Sequence, residues 1–570
     1  MSEASSVQGR RGLVAALALA TLASLRRFAN GAVWDDPLLF DVANKALARG
    51  DLWSMLTRST LGQAIDRAGD ANSGDLDLYR PITLLSFAID HALGGGSLVA
   101  YHLTNLALHL ACVTLVFLLA RELLPEAQRK YAALAAAWFG VSPHLVEAHV
   151  WISGRFDELS TCFGLAAIWV WQRGLRAAAA SSQRRASFAA AGVLHLLGLL
   201  NKEMLVFALP ALAFWPGFAA GTAPRERARA LLPFVIGLGA YLALRAHALH
   251  GGGAGVSAGE PLAALSRWPL LFCDAFANLL FPVRVYSRLL KEDYDAAGGA
   301  VALAAALVSA LVLVPAWRLR KRVPIFAWTL FWLATTLAPV TVLATRSWPG
   351  FGRFLYLPGS LFYVGVAQLC AVAFQTASER LRPLLRLGLG ALLALMALRT
   401  FVYASDFASD DALFGSIIAE APDRSHGYAF LGMTYLERHE PEAAARLLRK
   451  ATAIAPFERR YTQQLGQALL YSGQRQEALA LALAAKQHLH PSPEFDLLAA
   501  YAVLDDPARA VGYVLACLDQ DPAHGECRAA VTFLITKHAQ APAFRSELDA
   551  QCTARHTRGC DAVRALAPGR

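Results

Sequence analysis

Charge is scarce in this 570-residue chain, with Asp, Glu, Lys and Arg at 17% against 56% hydrophobic residues. With a mean hydropathy of +0.39, that scarcity excludes both an ordinary soluble enzyme and a disordered chain. Cysteine is sparse too, 8 residues, which excludes a small disulfide scaffold, and the glycines show no regular period, which excludes a collagen-like rod. Acidic residues are the minority, 43 against 53 basic, yet the basic ones sit in short clusters between apolar stretches. Such clusters orient membrane spans, so a lipid bilayer is the expected partner and nucleic acid is not.

Up to about residue 402, apolar segments of roughly 15 to 22 residues alternate with short charged joints, the length a bilayer demands of a helix. They fall near 12–30, 100–120, 131–148, 158–172, 187–200, 204–220, 230–247, 299–316, 324–344, 354–375 and 386–402, about 11 spans. The clusters at Arg10/Arg11, Arg121/Arg129/Lys130, Arg173/Arg176/Arg184/Arg185, Arg225/Arg227/Arg229, Arg318/Arg320/Lys321/Arg322 and Arg380/Arg382/Arg386 alternate with these spans if each is cytoplasmic. The alternation requires that a further apolar stretch, 263–282, stays at the outer interface or re-enters. Residues 31–99 and everything after 402 then lie outside. An Ala/Arg/Leu-rich composition fits a bacterial inner membrane, which puts both in the periplasm.

The first outer loop is acidic, with Asp35, Asp36, Asp41, Asp51, Asp66, Asp70, Asp75, Asp77 and Asp90 against Lys45, Arg49, Arg58, Arg67 and Arg80. At 69 residues it is too long for a simple connector, and its apolar stretch Pro81 to Leu93 suits the membrane surface. A retained first span is favoured over a cleaved signal peptide. Arg26 and Arg27, near its outer end, fit either snorkelling or contact with a lipid phosphate.

Past the spans the pattern changes. Leu431-Gly432 with Tyr428, Tyr435, Ala444, Leu448, Ala451 and Pro456 follows the tetratricopeptide pattern, and Leu465-Gly466 with Leu469, Ala478 and Ala485 repeats it 34 residues on. A third, shortened copy runs from Asp496 to Pro522, and the tail beyond reads as a cap. Cys517, Cys527, Cys552 and Cys560 lie there, where disulfides suit an extracytoplasmic location and a zinc site lacks paired CxxC elements. The expected architecture is all-α: a polytopic membrane domain (1–402), a linker (403–424), and a repeat α-solenoid with its cap (425–570).

Three constellations carry chemistry. In Asn30-Gly31-Ala32-Val33-Trp34-Asp35-Asp36-Pro37 two adjacent carboxylates emerge at the end of the first span. Neighbouring side chains diverge, so one suits a general base while the other orients. Arg80, Arg155, Lys202 and Arg353 sit near other outer span ends; each alone is an interfacial anchor, and together they suit an anionic ligand. His102, Asn105 and His109 share one helix face, where interhelical hydrogen bonds are the plain explanation. His144 and Glu147 lack an HExxH arrangement, Glu147 has Arg155 as an expected partner, and no metal is expected.

These stretches resemble the TMTC-type (transmembrane and tetratricopeptide repeat) O-mannosyltransferases and their bacterial relatives, within the GT-C class of glycosyltransferases. The similarity rests on Val33-Trp34-Asp35-Asp36, Tyr79-Arg80-Pro81-Ile82-Thr83, Tyr101 to His109, Ser142 to Arg155, Asn201-Lys202-Glu203 and Arg353 to Pro358, followed by the repeats. The resemblance implies a GT-C-like inverting transferase moving a mannose-like sugar from a polyprenyl-phosphate co-substrate to a hydroxyl, with no further cofactor. It further implies Asp35 or Asp36 as base and Arg353, Arg155, Lys202 and Arg80 on the donor phosphate. Tyr79, His102, Asn105, His144, Glu147 and Tyr356 would line the pocket, with the repeats binding an acceptor protein. The competing expectation is a non-enzymatic membrane scaffold for envelope complexes; a transporter is disfavoured because no inverted hydropathy repeat is visible.

Overall fold

The computed structural model describes residues 3–58, 78–178, 181–219, 221–249, 260–281, 299–341, 352–456, 458–489, 492–554 and 557–566. Asp66, Arg67, Asp70, Asp75 and Asp77 of the acidic loop lie outside them. Every regular element among the described residues is helical. Among the described residues, seven helices are long and apolar enough to cross a membrane: Gly9–Ala29, Leu98–Leu123, Pro224–Ala248, Gly299–Arg318, Pro324–Thr341, Gly352–Thr376 and Leu381–Ala408. The chain is an all-α polytopic membrane protein.

Four of the expected 11 spans are not among the seven, for reasons of length and charge. The 131–148 stretch is helical only over Ala132–Val141, because Pro143 removes a donor and the chain turns into short 3-10 and α segments. The 204–220 stretch is a 3-10 turn, Glu203–Ala208, and a five-residue helix, Leu209–Ala213. The 158–172 stretch belongs to Arg155–Arg176, which carries Asp157, Glu158, Arg173 and Arg176, and 187–200 to Ser182–Leu199, which opens with Arg184 and Arg185. The ambiguous 263–282 stretch is a helix, Glu260–Leu280, with Pro269 inside it and Phe272, Ala275 and Leu279 buried.

Where Ala132–Val141 breaks, the irregular segment 142–154 is buried throughout and linked to several helices, the only setting in which such backbone is tolerated at membrane depth. Ser142 Oγ lies 2.8 Å from the Tyr363 hydroxyl, and Asn105 donates to the carbonyls of Trp151 and Ile152 at 3.1 Å each. Gly352 is required beside it, since a Cβ there would fall 2.1 Å from the His144 carbonyl oxygen. The end of the first span is tied to the end of the last: Asn30 Nδ2 donates to the Ala404 carbonyl at 2.7 Å, and Gly31 N to that of Ala408 at 3.1 Å.

Contacts divide the described residues into two compact units, one ending at Ser409 and one beginning at Asp410. The expected linker, 403–424, carries structure of both. Ala404–Ala408 is a 3-10 turn of the first unit, and Asp410–Glu420 is a helix of the second, whose Leu413, Phe414 and Ile417 are buried. Its Asp411 accepts from the Tyr435 hydroxyl at 2.8 Å and from Arg438 at 2.5 Å. Helix pairs then begin at Ser425, Arg459 and Pro493, a 34-residue interval, and the third pair, Pro493–Ala502 and Pro507–Gln520, has a first helix of 10 residues where the other two have 13. The expected cap forms a fourth pair, Gly525–Thr536 and Ala541–Ala554, and a last helix, Arg558–Leu566. Disulfides Cys517–Cys527 and Cys552–Cys560 join the third pair to the fourth and the fourth to the last helix.

With Cys112, Cys162, Cys273 and Cys370 free, alkylation of the denatured, unreduced protein is expected to modify four cysteines, and reduction to expose all eight. Eight modified without reductant, read by intact mass, would contradict the pairing.

Candidate active site

The two adjacent carboxylates have opposite fates. Asp36 is fully buried: one oxygen accepts from Val33 N at 3.0 Å, and the other from Ser153 N at 2.8 Å and the Ser153 hydroxyl. Its neighbour Asp35 is exposed. Between this pair and the first span, Trp34 adopts φ +56°, a strained left-handed conformation for a bulky residue. The conformation is fixed from both sides. The Trp34 ring stacks on Trp151 with centroids 5.1 Å apart and planes 16° from parallel, and the Trp151 indole N–H donates to the Val33 carbonyl at 3.2 Å.

The four expected cations separate by exposure. Arg155 is buried and spent within the protein: Nε donates to Asn105 at 2.6 Å, Nη2 to the Tyr101 carbonyl at 2.8 Å, and Nη1 lies 2.6 Å from Asp90. It therefore holds the fold rather than a ligand, and its acid is Asp90, not Glu147. Lys202 pairs with Asp157 at 2.5 Å, 4.4 Å over the Phe354 ring. Burial pulls its ammonium down to about 8, against the pull of Asp157 in the other direction. Arg80 meets Glu203 at 3.0 Å. Arg353 lies against the stacked indoles, its guanidinium carbon 5.4 Å from the Trp34 ring and 4.9 Å from Trp151, with Glu147 accepting from its backbone N–H at 3.2 Å.

Of the expected pocket residues, Glu147 stands with Arg353, and the rest brace the interior. Tyr79 donates to the Leu56 carbonyl at 2.6 Å. The Tyr356 hydroxyl lies 2.8 Å from His109 Nδ1, and His109 Nε2 lies 3.1 Å from the Gly140 carbonyl. A carbonyl only accepts, so Nε2 carries the proton and the Tyr356 hydroxyl donates to Nδ1. His102 is buried edge-on to Phe28, and His144 is buried with its carbonyl against Gly352. Among the described residues, the grouping with metal-ligand geometry is Cys517, His524 and Cys527, in the second unit, and its two sulfurs are joined.

Curated proteins of known name match parts of this chain. Protein O-mannosyl-transferase Tmtc1 of Drosophila melanogaster is 32% identical over 215 residues, 37% of this chain and 23% of that protein. TMTC2 of Mus musculus is 29% identical over 147 residues (26% and 17%), and TMTC3 of Homo sapiens 35% over 95 residues (17% and 10%). Parts of the chain are similar to the TMTC-type protein O-mannosyl-transferases. The match spans less than a quarter of the length of each. No family model matches the chain, and no solved structure does.

Several supports of this site are not legible in the sequence. Arg27 neither snorkels nor meets a lipid; it is fully buried, donating to the His149 carbonyl at 2.9 Å with Nη2 2.8 Å from His149 Nδ1. Ser153 lies inside the Ser142 to Arg155 stretch and Asp157 two residues beyond it, and residue type alone distinguishes neither. Arg245, 3.1 Å from Glu203, lies in no recognised motif.

Burial raises the Asp36 carboxyl to about 7, against the hydrogen bonds from Ser153 and Val33 that lower it. A raised carboxyl favours the folded state in its neutral form, so that contribution is complete below about pH 4 and lost as pH rises through about 7. The thermal stability of the detergent-solubilised protein is expected to fall over that range more steeply than that of Asp36→Asn. Parallel profiles would contradict this.

Proposed function

We propose that this chain is a membrane glycosyltransferase that moves a mannose-like sugar from a polyprenyl phosphate to a hydroxyl of an extracytoplasmic acceptor, Ser or Thr of a protein. The observation that carries the reading is the exposed Asp35 beside a buried, fully bonded Asp36, on a strained turn next to Arg353. That arrangement favours Asp35 as the base and Asp36 as the residue that positions it. The partial similarity to protein O-mannosyl-transferases supports the same reading.

In the proposed reaction the acceptor O–H gives its proton to Asp35 as its oxygen bonds to the anomeric carbon. The bond from that carbon to the phosphate oxygen breaks, and the electron pair leaves with the polyprenyl phosphate. Arg353 and Arg80 stabilise the charge that gathers there. A single displacement inverts the anomeric centre. The bacterial inner membrane, with this site on its periplasmic side, is the proposed setting, and the helix pairs of the second unit are the proposed acceptor-binding surface.

Asp35→Asn is expected to lower the transfer rate of purified protein roughly a hundred- to ten-thousandfold, the worth of a positioned base. Retention of the wild-type rate would refute the assignment. Removal of residues 410–570 is expected to impair transfer to a folded protein more than to a short Ser/Thr peptide, measured as kcat/KM for each. Equal loss on both would remove the helix pairs from acceptor binding.

A further inference from the structure

Four cations and three carboxylates of the first unit form one row. Arg353 pairs with Glu147 at 3.7 Å, Lys202 with Asp157 at 2.5 Å, and Arg80 and Arg245 share Glu203. Phe354 links the first two pairs, with Arg353 5.3 Å and Lys202 4.4 Å from its ring, and Lys202 precedes Glu203 in the chain. The row carries one positive charge in excess, and that excess falls at the Glu203 end.

There the geometry is that of a bridged pair. Arg80 Nη2 meets one carboxylate oxygen of Glu203 at 3.0 Å and Arg245 Nη1 the other at 3.1 Å, so a single side chain spans two guanidiniums. Arg80 precedes the helix Pro81–Gly94 with its guanidinium 5.0 Å over Phe156, and Arg245 lies in the last turn of Pro224–Ala248, within 3.3 Å of the Tyr241 hydroxyl. Arg80, Glu203 and Arg245 keep 15%, 31% and 27% side-chain exposure, whereas Lys202 and Asp157 keep 6% and 5%. The trio is an accessible end of the row, separated from the partly exposed Arg353 by the closed Lys202–Asp157 pair.

We propose that Glu203 is a built-in stand-in for the phosphate of a lipid-linked ligand, bridging Arg80 and Arg245 until a phosphate takes its place between them. The inference rests on the polyprenyl-phosphate reading above. A phosphate offers more acceptor oxygens than a carboxylate and, as a monoester, up to one more negative charge, matching two fork-shaped guanidiniums better. Glu203 keeps the largest side-chain exposure of the three and can turn into solvent as a phosphate enters. It competes with the ligand, and its neutral variant therefore binds phosphate more tightly, the reverse of what loss of a merely structural contact does.

The test uses full-length protein in phosphatidylcholine nanodiscs, with farnesyl phosphate and inorganic phosphate titrated separately by calorimetry and folding checked by thermal melts. Glu203→Gln is expected to tighten farnesyl phosphate binding at least about threefold and Arg245→Leu to weaken it about tenfold. Glu203→Asp, charged but too short to span both arginines, is expected to fall between wild type and Glu203→Gln, and it serves should Glu203→Gln not fold. Wild-type binding of farnesyl phosphate that neither Glu203 variant tightens would overturn the stand-in and leave the carrier reading intact. Equal affinity for inorganic phosphate would overturn the lipid-linked assignment. Failure of wild type to bind either probe would overturn both this inference and the carrier reading.

Discussion

The carboxyl of Asp36 ties the turn at the end of the first span to a buried loop 117 residues further along the chain, and the candidate site depends on that tie. It is one of the ties that hold Trp34 in a left-handed conformation that costs a bulky residue on the order of 1–3 kcal/mol. Asp35 is the next residue, so that turn sets where its backbone lies. The strain is held by hydrogen bonds from Val33 and Ser153 to Asp36, the Trp151 indole on the Val33 carbonyl, and the stack of Trp34 on Trp151. The loop is in turn held by Asn105 and, through His149, by Arg27.

The same economy governs the charges. A buried ion is tolerated only when paired and hydrogen-bonded, because desolvation otherwise exceeds the attraction regained. Arg155 meets that condition with Asp90, Asn105 and the Tyr101 carbonyl, and Lys202 meets it with Asp157. Cations satisfied this way become part of the scaffold, and the capacity to meet an anion shifts to the partly exposed Arg353, Arg80 and Arg245. The charge row thus grades from framework to candidate binding surface.

Much of this was legible in the sequence because the physics is periodic or local. Seven apolar segments of membrane-spanning length announced themselves by hydropathy, and the helix pairs by their 34-residue interval. The Asp35/Asp36 pair stood out by position, yet its division of labour did not, since burial of one member is decided by Ser153, far away in sequence. Arg155 looked like Arg353 for the same reason: span-end location is local, but the partners that consume a guanidinium arrive from Asp90 and Asn105. The break at Ser142-Pro143 carried a visible proline, and hydropathy averaging over 131–148 concealed it. The helix Asp410–Glu420 was hidden because its apolar stripe spans only three buried residues, too few to register as a periodic element.

The central claim is that Asp36 acts on the reaction through Ser153, and a double-mutant cycle on transfer rate tests it directly. Asp36→Asn, Ser153→Ala and the double variant are compared with wild type in the same nanodisc preparation, on donor and acceptor at saturation. If the two side chains work as one tie, the second substitution adds little to the first, and the coupling energy is roughly 1–3 kcal/mol. Fully additive losses, with a coupling near zero, would show that Asp36 does not position the site through Ser153 and would contradict the account.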